Sequence, residues 1–172
     1  QNHDGDILLA ENNSVIQLKK SKDGIYSLIH CKPESEEFAP LTYQISDILE
    51  DSKGNVWLAT CGGGLHLMIK SENGYRFIHK GNLFKDNFPP TVEQSHSLME
   101  DHQGNIWLGS SEGLTIFSST FDTPETVRFL FYNTENTNLT NSCIYDIFQD
   151  QKDNVWLASY GGGLFKLNGG FV

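Results

Sequence analysis

Cationic side chains and long apolar runs are both scarce in this chain of 172 residues. Lysine and arginine number 12 against 22 aspartates and glutamates, so the formal net charge is −10. Nucleic-acid binding requires clustered cations that neutralise phosphates, and this balance argues against a nucleic-acid partner. No apolar stretch approaches the ~20 residues of a membrane-spanning helix, which argues against direct insertion into a membrane.

Cysteine is rare as well, and the six histidines are scattered. Cys31, Cys61 and Cys143 do not recur at a fixed spacing. An odd count also leaves at least one thiol unpaired, so a repeated disulfide framework is excluded. The histidines lack the clustered spacing of a zinc site, and we expect them at the surface. The sequence accordingly predicts no cofactor and no bound metal.

The abundant feature is a repeat marked by the three tryptophans. Trp57, Trp107 and Trp156 each end a motif of the form Asp-x-x-Gly/Asp-Asn-x-Trp, and the copies are separated by 50 and then 49 residues. A weaker copy, with Leu8 in place of tryptophan, opens the chain. Self-similarity at one period is typical of stacked repeats, in which each unit buries its apolar faces only against a neighbour.

Each unit predicts four β-strands joined by hairpins, because short runs of β-branched and aromatic residues alternate with Gly, Asn and Asp. In the second unit the expected strands are Ile45–Glu50, Asn55–Thr60, Leu65–Lys70 and Tyr75–His79. Four-stranded antiparallel sheets stacked around an axis form a β-propeller. We therefore predict an all-β fold: a β-propeller fragment of four-stranded antiparallel blades, with about three and a half blades in this chain.

The repeat boundaries divide this partial propeller, residues 1–172, into four parts. We expect residues 1–43 to form an incomplete first blade, 44–93 and 94–142 to form two further blades, and 143–172 to form an incomplete last blade. An open arc of this kind leaves two apolar blade faces uncovered, and exposed patches of that size predict association. We therefore expect the chain to associate with itself.

The repeated polar and aromatic positions are predicted to be structural. Each tryptophan lies in mid-strand, where a large ring packs between sheets. Each aspartate opens a turn, where its carboxylate accepts backbone N–H groups, and the glycine supplies a left-handed conformation that aspartate also tolerates. These structural repeat positions are Asp51, Gly54, Trp57, Asp101, Gly104, Trp107, Asp150 and Trp156.

The order of motifs within the unit resembles one propeller family. An upstream Ile-x-x-Ile-x-x-Asp, the tryptophan hairpin and a downstream Gly-Gly-Gly-Leu resemble the two-component regulator propeller repeat over nearly the whole chain. The opening copy departs by lacking tryptophan, and the Trp107 copy by having one glycine where the Trp57 and Trp156 copies have three. The resemblance implies a periplasmic sensor region of a Bacteroidetes hybrid histidine kinase that responds to oligosaccharides, with further propeller repeats in the parent chain.

Loops at one end of the predicted blades differ between the copies, which suits a binding surface with a different task in each blade. Aromatic rings there could stack on a sugar, and amides and carboxylates could hydrogen-bond its hydroxyl groups. The ligand-binding candidates are Tyr43, Glu93, His96, Glu112, Asn138, Asn141 and Tyr160.

Three functions remain open from the sequence. The first is a sensor segment that signals by binding an oligosaccharide, and the second is a scaffold or dimerisation segment without a small-molecule ligand. The third is a glycosidase propeller of the sialidase type, which needs a cluster of arginines and a tyrosine nucleophile. Since Arg76 and Arg128 are the only arginines, we expect no catalytic constellation and no enzyme activity in this segment.

Overall fold

The computed structural model describes residues 5–12, 14–89 and 92–167. In this part of the chain, 14 strands form four antiparallel sheets, in each of which consecutive strands are neighbours. The first sheet contains β1 (Ile7–Glu11), β2 (Ser14–Lys20) and β3 (Tyr26–His30). The second contains β4 (Gln44–Glu50), β5 (Val56–Cys61), β6 (Gly64–Ser71) and β7 (Gly74–Ile78).

The third sheet contains β8 (Ser95–Glu100), β9 (Asn105–Ser110), β10 (Leu114–Ser118) and β11 (Leu130–Tyr132), with a single 3₁₀ turn at Pro124–Thr126. The fourth contains β12 (Ile144–Gln149), β13 (Val155–Ser159) and β14 (Gly163–Leu167). The innermost strand of the third sheet, β8, contacts the innermost strands β4 and β12 of the sheets on either side. The predicted fold, an all-β fragment of a β-propeller, is confirmed.

The sheets stack through alternating side chains of their second strands. Trp57 and Ala59 of β5 pack with Leu108 of the third sheet, whereas Val56 and Leu58 pack with Val15 of the first sheet and its neighbours. Successive side chains of a strand point to opposite faces, so this alternation buries both faces of the sheet. We call the side that carries Trp57, Leu49 and Leu67 the tryptophan face of the second sheet, and the side that carries Val56, Leu58 and Met68 its back face.

The core between the second and third sheets is rich in aromatic rings. The connection from β7 to β8 contributes Phe84 and Phe88, both buried, and the third sheet contributes Phe117. The Trp57 ring meets the Phe117 ring edge-on with centroids 4.8 Å apart, and it stacks against Phe84 at 6.4 Å. Burial of several large rings makes this contact a main source of stability.

Polar side chains also join neighbouring sheets at the C-terminal ends of the innermost strands. The Glu100 carboxylate accepts the Ser52 backbone N–H at 2.7 Å and the Ser52 hydroxyl at 2.6 Å. At the corresponding place one sheet further on, Gln149 Oε1 accepts the His102 backbone N–H at 2.8 Å. The last residue of each of these innermost strands thus caps the hairpin of the preceding sheet.

Candidate functional site

A single carboxylate organises the tryptophan hairpin of the second sheet. Asp51 is fully buried, and its Oδ1 accepts the backbone N–H groups of Lys53 and Asn55, both at 2.9 Å. Its Oδ2 accepts the Asn55 side-chain amide at 2.9 Å and the Trp57 indole N–H at 2.7 Å. Four donors occupy the acceptor positions of one carboxylate, so Asp51 holds the turn together.

The third and fourth sheets repeat this arrangement. The Trp107 indole N–H donates to Asp101 Oδ2 at 2.8 Å, and the Trp156 indole N–H donates to Asp150 Oδ2 at 3.0 Å. The bond from Trp156, followed by those from Asn154, lowers the pKa of the Asp150 carboxyl far below its ordinary value. These carboxylates point into their own hairpins and away from any shared site.

The same hairpin requires one residue in the left-handed region. The backbone angle φ is +84° at Gly54 and +80° at Gly104, where glycine meets no steric penalty. In the fourth sheet the position is held by Asp153, with φ of +61°. Aspartate is among the few other residues that visit this region, so the motif keeps its geometry without glycine.

Each innermost strand carries a β-bulge near its start. The register of the ladder shifts at Ser46 in β4, at His96 in β8 and at Tyr145 in β12. A bulged residue is left out of the ladder, and its side chain is re-aimed. The Ser46 hydroxyl reaches the following sheet, where it donates to the Ser95 carbonyl oxygen at 2.7 Å. His96 likewise reaches Tyr145 of the following sheet.

Three rings form what we call the aromatic row: His96, Tyr145 and Tyr160. The rings of His96 and Tyr145 stack with centroids 4.4 Å apart and an interplanar angle of 13°, and the Tyr160 centroid lies 5.9 Å from that of Tyr145. The His96 Nε2 lies 2.9 Å from Ser111 Oγ, which orients the imidazole, and burial lowers the pKa of His96. Tyr145 and Tyr160 are 54% and 73% exposed, so the row presents ring surface to solvent.

The aromatic row lies on what we call the loop face. This face joins the segments that lead into the innermost strands to the loops between the second and third strands of the last three sheets. It comprises residues 41–43, 61–64, 92–94, 110–113, 139–143 and 159–163, together with the bulged residues Ser46, His96 and Tyr145. Backbone hydrogen bonds tie these segments together: the N–H groups of Gly62 and Gly64 donate to the Glu93 carbonyl oxygen at 2.8 and 3.0 Å, and Tyr160 N–H donates to the Cys143 carbonyl oxygen at 3.0 Å.

The glycine patches make room for side chains of the lead-in segments. A Cβ atom on Gly62 would lie 2.6 Å from Cδ1 of Tyr43, and one on Gly63 would lie 2.7 Å from its Cδ2, so the tyrosine ring lies against bare backbone. In the fourth sheet, a Cβ on Gly162 would lie 2.8 Å from Cβ of Asn141. The glycines therefore allow a side chain that differs between the copies to pack against a loop that is similar in both sheets.

Carboxylates dominate the charge of the loop face. Burial raises the pKa of Glu112, against the backbone and Ser110 hydrogen bonds that lower it. Its Oε2 is buried and accepts no hydrogen bond from the described residues. Glu93 pairs with Lys80 at 2.7 Å. The loop face therefore offers hydrogen-bond acceptors and aromatic ring faces to a ligand. Its cation Lys80 is already paired with Glu93.

Six of the seven ligand-binding candidates lie on the loop face, whereas Asn138 lies just outside it. Asn138 is exposed, and within the described residues no hydrogen bond or ring contact joins it to the aromatic row. Tyr145 is not among the candidates predicted from the sequence. Its position in the repeat could have identified it, because Tyr145 occupies the same variable position as His96 and Ser46.

The expectation that the histidines lie at the surface is wrong for His66 and His79. Both are buried, with ring centroids 5.0 Å apart. His66 Nε2 accepts the Leu41 backbone N–H at 3.2 Å, and His79 Nε2 lies 3.1 Å from the Ala39 carbonyl oxygen. Burial first, and then the neighbouring His79, lower the pKa of His66 to about 3. The pair thus anchors the segment that leads to Tyr43.

Groups suited to catalysis or metal binding are sparse. Arg76 pairs with Glu34 and lies over the Phe38 ring, 4.4 Å from its centroid, on an outer strand. Across residues 5–12, 14–89 and 92–167, no three His, Cys, Asp or Glu side chains are grouped as metal ligands. In the same ranges, no helix has the length and apolar character to cross a membrane. Cys31, Cys61 and Cys143 are free thiols.

Comparisons with known proteins agree with this geometry. The model of the two component regulator propeller family matches residues 41–62, 91–112 and 138–161, each spanning an innermost strand and its tryptophan hairpin. No curated protein matches the sequence.

Solved structures share the fold at low sequence identity. The extracellular domain of BT4673 from B. thetaiotaomicron, described as a hybrid two component system, has a TM-score of 0.63 at 20% identity, over 96% of this chain and 20% of that one. The corresponding domain of BT3049 has a TM-score of 0.55 at 17% identity, over 96% of this chain and 21% of that one. Virginiamycin B lyase from Staphylococcus aureus has a TM-score of 0.58 at 13% identity, over 96% of this chain and 53% of that one.

The chain spans about a fifth of the length of the extracellular domains that it matches. At these identities, the likeness shows the propeller fold alone. The three family matches fall on the three tryptophan repeats and follow their spacing. The three tryptophan repeats of this chain are thus similar to the repeat of the two component regulator propeller family.

Proposed function

We propose that this segment is a ligand-sensing part of the extracytoplasmic propeller of a two-component receptor, and that its signal is an oligosaccharide. The matches of the three tryptophan repeats to the two component regulator propeller family support the receptor context, and the matched domains of BT4673 and BT3049 are extracellular. The segment signals by binding rather than by catalysis. A scaffold segment without a small-molecule ligand is the competing function.

The observation that carries this proposal is the exposed aromatic row on the loop face. Tyrosine combines an apolar ring with a hydroxyl group, so it can cover the apolar side of a sugar ring while bonding to its hydroxyls. His96 and Tyr145 brace each other, which leaves the outward surface of Tyr160 and the edges of the row for a ligand. A rigid platform of this kind loses little conformational freedom on binding.

The charges near the row favour an uncharged sugar. Glu112 offers a buried oxygen that accepts no hydrogen bond from the described residues, and Glu93 adds a second carboxylate. Sulfated or uronic sugars would meet like charge there, since Lys80 is already paired with Glu93. We therefore expect neutral oligosaccharides to bind in preference to anionic ones.

Signalling requires that the ligand bind one receptor state better than another. The aromatic row bridges two sheets, because His96 belongs to β8 of the third sheet, whereas Tyr145 belongs to β12 and Tyr160 follows β13 of the fourth. A ligand on the row therefore contacts both sheets and favours one relative orientation of them. A receptor could transmit this change in the relative orientation of the two sheets.

Thermal-shift measurements followed by calorimetric titration test the proposal, with a panel of defined neutral and sulfated oligosaccharides. We expect a neutral member of the panel to stabilise the chain. We expect Tyr160→Ala to weaken its binding at least about tenfold. Tyr26→Ala is the matched control, because Tyr26 is an exposed tyrosine on β3, away from the loop face. If no sugar stabilises the chain, or if both variants weaken binding equally, the scaffold function is favoured instead.

A further inference from the structure

Tyr43 presents part of its ring to solvent on the loop face of the second sheet. A Cβ atom on Gly62 or Gly63 would come within 2.7 Å of this ring, so the ring rests directly on the backbone of these two glycines. Tyr43 is 42% exposed, although the second sheet packs against the first sheet on one side and the third on the other. The open ring surface therefore belongs to the loop face and not to an uncovered sheet.

Glu93 occupies the position in the third sheet that Tyr43 occupies in the second, three residues before the β-bulge. Its carboxylate pairs with Lys80 at 2.7 Å. The Lys80 ammonium also donates to the Gly62 carbonyl oxygen at 3.5 Å. Lys80 thereby holds the Glu93 carboxylate beside the glycine loop on which the Tyr43 ring rests.

Glu112 adds a second carboxylate beside the backbone of Glu93. Burial raises the pKa of Glu112, while hydrogen bonds from Ser110 and from backbone N–H groups, including those of Gln94 and Glu93, oppose that shift. Its Oε2 is buried and accepts no hydrogen bond from the residues that the structure describes. A buried acceptor without a donor is costly, and a hydroxyl group of a ligand can supply the donor.

Hydrogen bonds connect this region to the aromatic row. The Ser111 backbone N–H donates to the Gln94 carbonyl oxygen at 2.9 Å, and the Ser111 hydroxyl lies 2.9 Å from His96 Nε2. Stacked sheets lie about 10 Å apart, so the distance from Tyr43 on the second sheet to Tyr160 on the fourth is on the order of 20 Å. A disaccharide is too short to cover this distance, whereas a longer oligosaccharide can contact both tyrosines.

We propose that Tyr43, Glu93 and Glu112 form a second sugar subsite, and that the ligand is a neutral oligosaccharide long enough to occupy this subsite and the aromatic row together. The second subsite rests on the proposed function, because it requires that a sugar binds the row. One sugar ring covers the open surface of Tyr43, and its hydroxyl groups donate to the two carboxylates. The length of the oligosaccharide, and not a single sugar ring, then determines the affinity.

Calorimetric titration with sugars of two lengths tests the second subsite. The probes are the disaccharide and the hexasaccharide of neutral glucose, mannose and xylose series. We expect the hexasaccharide of one series to bind the unaltered chain at least about tenfold more tightly than its disaccharide. We expect Tyr43→Ala to remove most of this difference, and Tyr43→Phe, which keeps the ring, to preserve most of it. Glu112→Gln keeps the size of the side chain but removes its charge, and it should weaken hexasaccharide binding about threefold or more.

Two further variants separate the second subsite from the row. Tyr160→Ala should weaken the disaccharide and the hexasaccharide alike, whereas Tyr26→Ala, on β3 away from the loop face, should change neither. Circular dichroism confirms that each variant is folded. If Tyr160→Ala weakens sugar binding but Tyr43→Ala leaves the advantage of the hexasaccharide unchanged, the second subsite is wrong while the proposed function stands. If no sugar of either length binds, both are wrong.

Discussion

The second and fourth sheets contain the same hairpin with the same hydrogen bonds, yet they bury it to different degrees. The Trp57 indole donates to Asp51, and the Trp156 indole donates to Asp150, at 2.7 and 3.0 Å. Trp57 is completely buried by the third sheet. Trp156 is partly exposed, and the Lys166 ammonium lies 5.3 Å from the centroid of its ring.

This difference separates what a repeat does alone from what its neighbour adds. The hairpin hydrogen bonds are local, because donor and acceptor lie six residues apart. The burial of apolar surface is not local, since it depends on the back face of the next sheet. Stability in repeat proteins is approximately a sum of such internal and neighbour terms. In this chain the hairpin sets the geometry, and the contact between sheets supplies most of the stabilisation.

The largest expected effect comes from removing the buried tryptophan. We expect Trp57→Ala to lower the free energy of unfolding by about 3–5 kcal/mol, because it empties a large volume between two sheets. We expect Trp156→Ala to cost less, about 1–2 kcal/mol, because part of that ring is already exposed to water. Urea denaturation followed by circular dichroism measures both values. Equal losses would contradict the view that burial by the next sheet makes the difference.

Acidification should weaken the second sheet selectively. The fold lowers the pKa of His66, so the neutral imidazole contributes stability that is complete above its ordinary pKa of ~6.5 and is lost as the pH falls toward about 3. One such group changes the free energy of unfolding by about 1.4 kcal/mol per pH unit, or about 2 kcal/mol between pH 6.5 and 5. Urea denaturation at stepped pH measures this slope.

The control for the acid effect is His66→Gln, whose amide oxygen can still accept the Leu41 N–H without titrating. Burial also lowers the pKa of His79, which therefore keeps part of the slope. The fourth sheet has Phe165 at the ladder position of His66 and should not respond in this way. A slope that is unchanged in His66→Gln would show that the acid response arises elsewhere.

Turn substitutions should give a smaller effect, and one that differs in size between the two sheets. Gly54→Ala forces a side chain into the left-handed region and should cost about 1 kcal/mol. Asp153→Gly relieves that conformation and gives up only an exposed contact with His102, so we expect a change within about 0.5 kcal/mol. Thermal denaturation of both variants measures the difference. Destabilisation by Asp153→Gly as large as that by Gly54→Ala would refute the account.

The smallest effect concerns Lys166, a charged residue beside Trp156 on the tryptophan face of the fourth sheet. Lys166 occupies the ladder position that Leu67 and Ile116 hold in the covered sheets. We expect Lys166→Leu to strengthen self-association about three- to tenfold, which corresponds to less than ~1.4 kcal/mol. The stability of the single chain should barely change. Light scattering across a dilution series measures the shift, and unchanged association would show that this face stays in solvent.

Most of the fold could be predicted from the sequence because the repeat supplies its own internal check. Three tryptophan hairpins in register fix the strands around them, and the ladder pairs of β5 and β6 lie where the motif places them. The connection from β7 to β8 could not be predicted in this way, since its sequence does not recur in the corresponding connections of the other copies. Its Phe84 and Phe88 enter the core, and the same region buries His79.

The candidate site was predictable in its location but not in its organisation. Differences between copies pointed to the loops at one end of the sheets, where His96 and Tyr160 lie. The stacking that joins them depends on Tyr145, whose direction is set by a β-bulge. A bulge has no distinctive residue type in this chain, since the three bulged positions hold serine, histidine and tyrosine. Only the three-dimensional register reveals it.

The side chains at the bulged positions can vary without changing how the strands pair. Because Ser46, His96 and Tyr145 make no ladder pair, a different side chain at any of them alters the chemistry of the loop face without sliding a strand. The same scaffold can thereby be retuned one sheet at a time. Ligand preference in such an array can diversify by single substitutions while the packing that maintains the fold stays as it is.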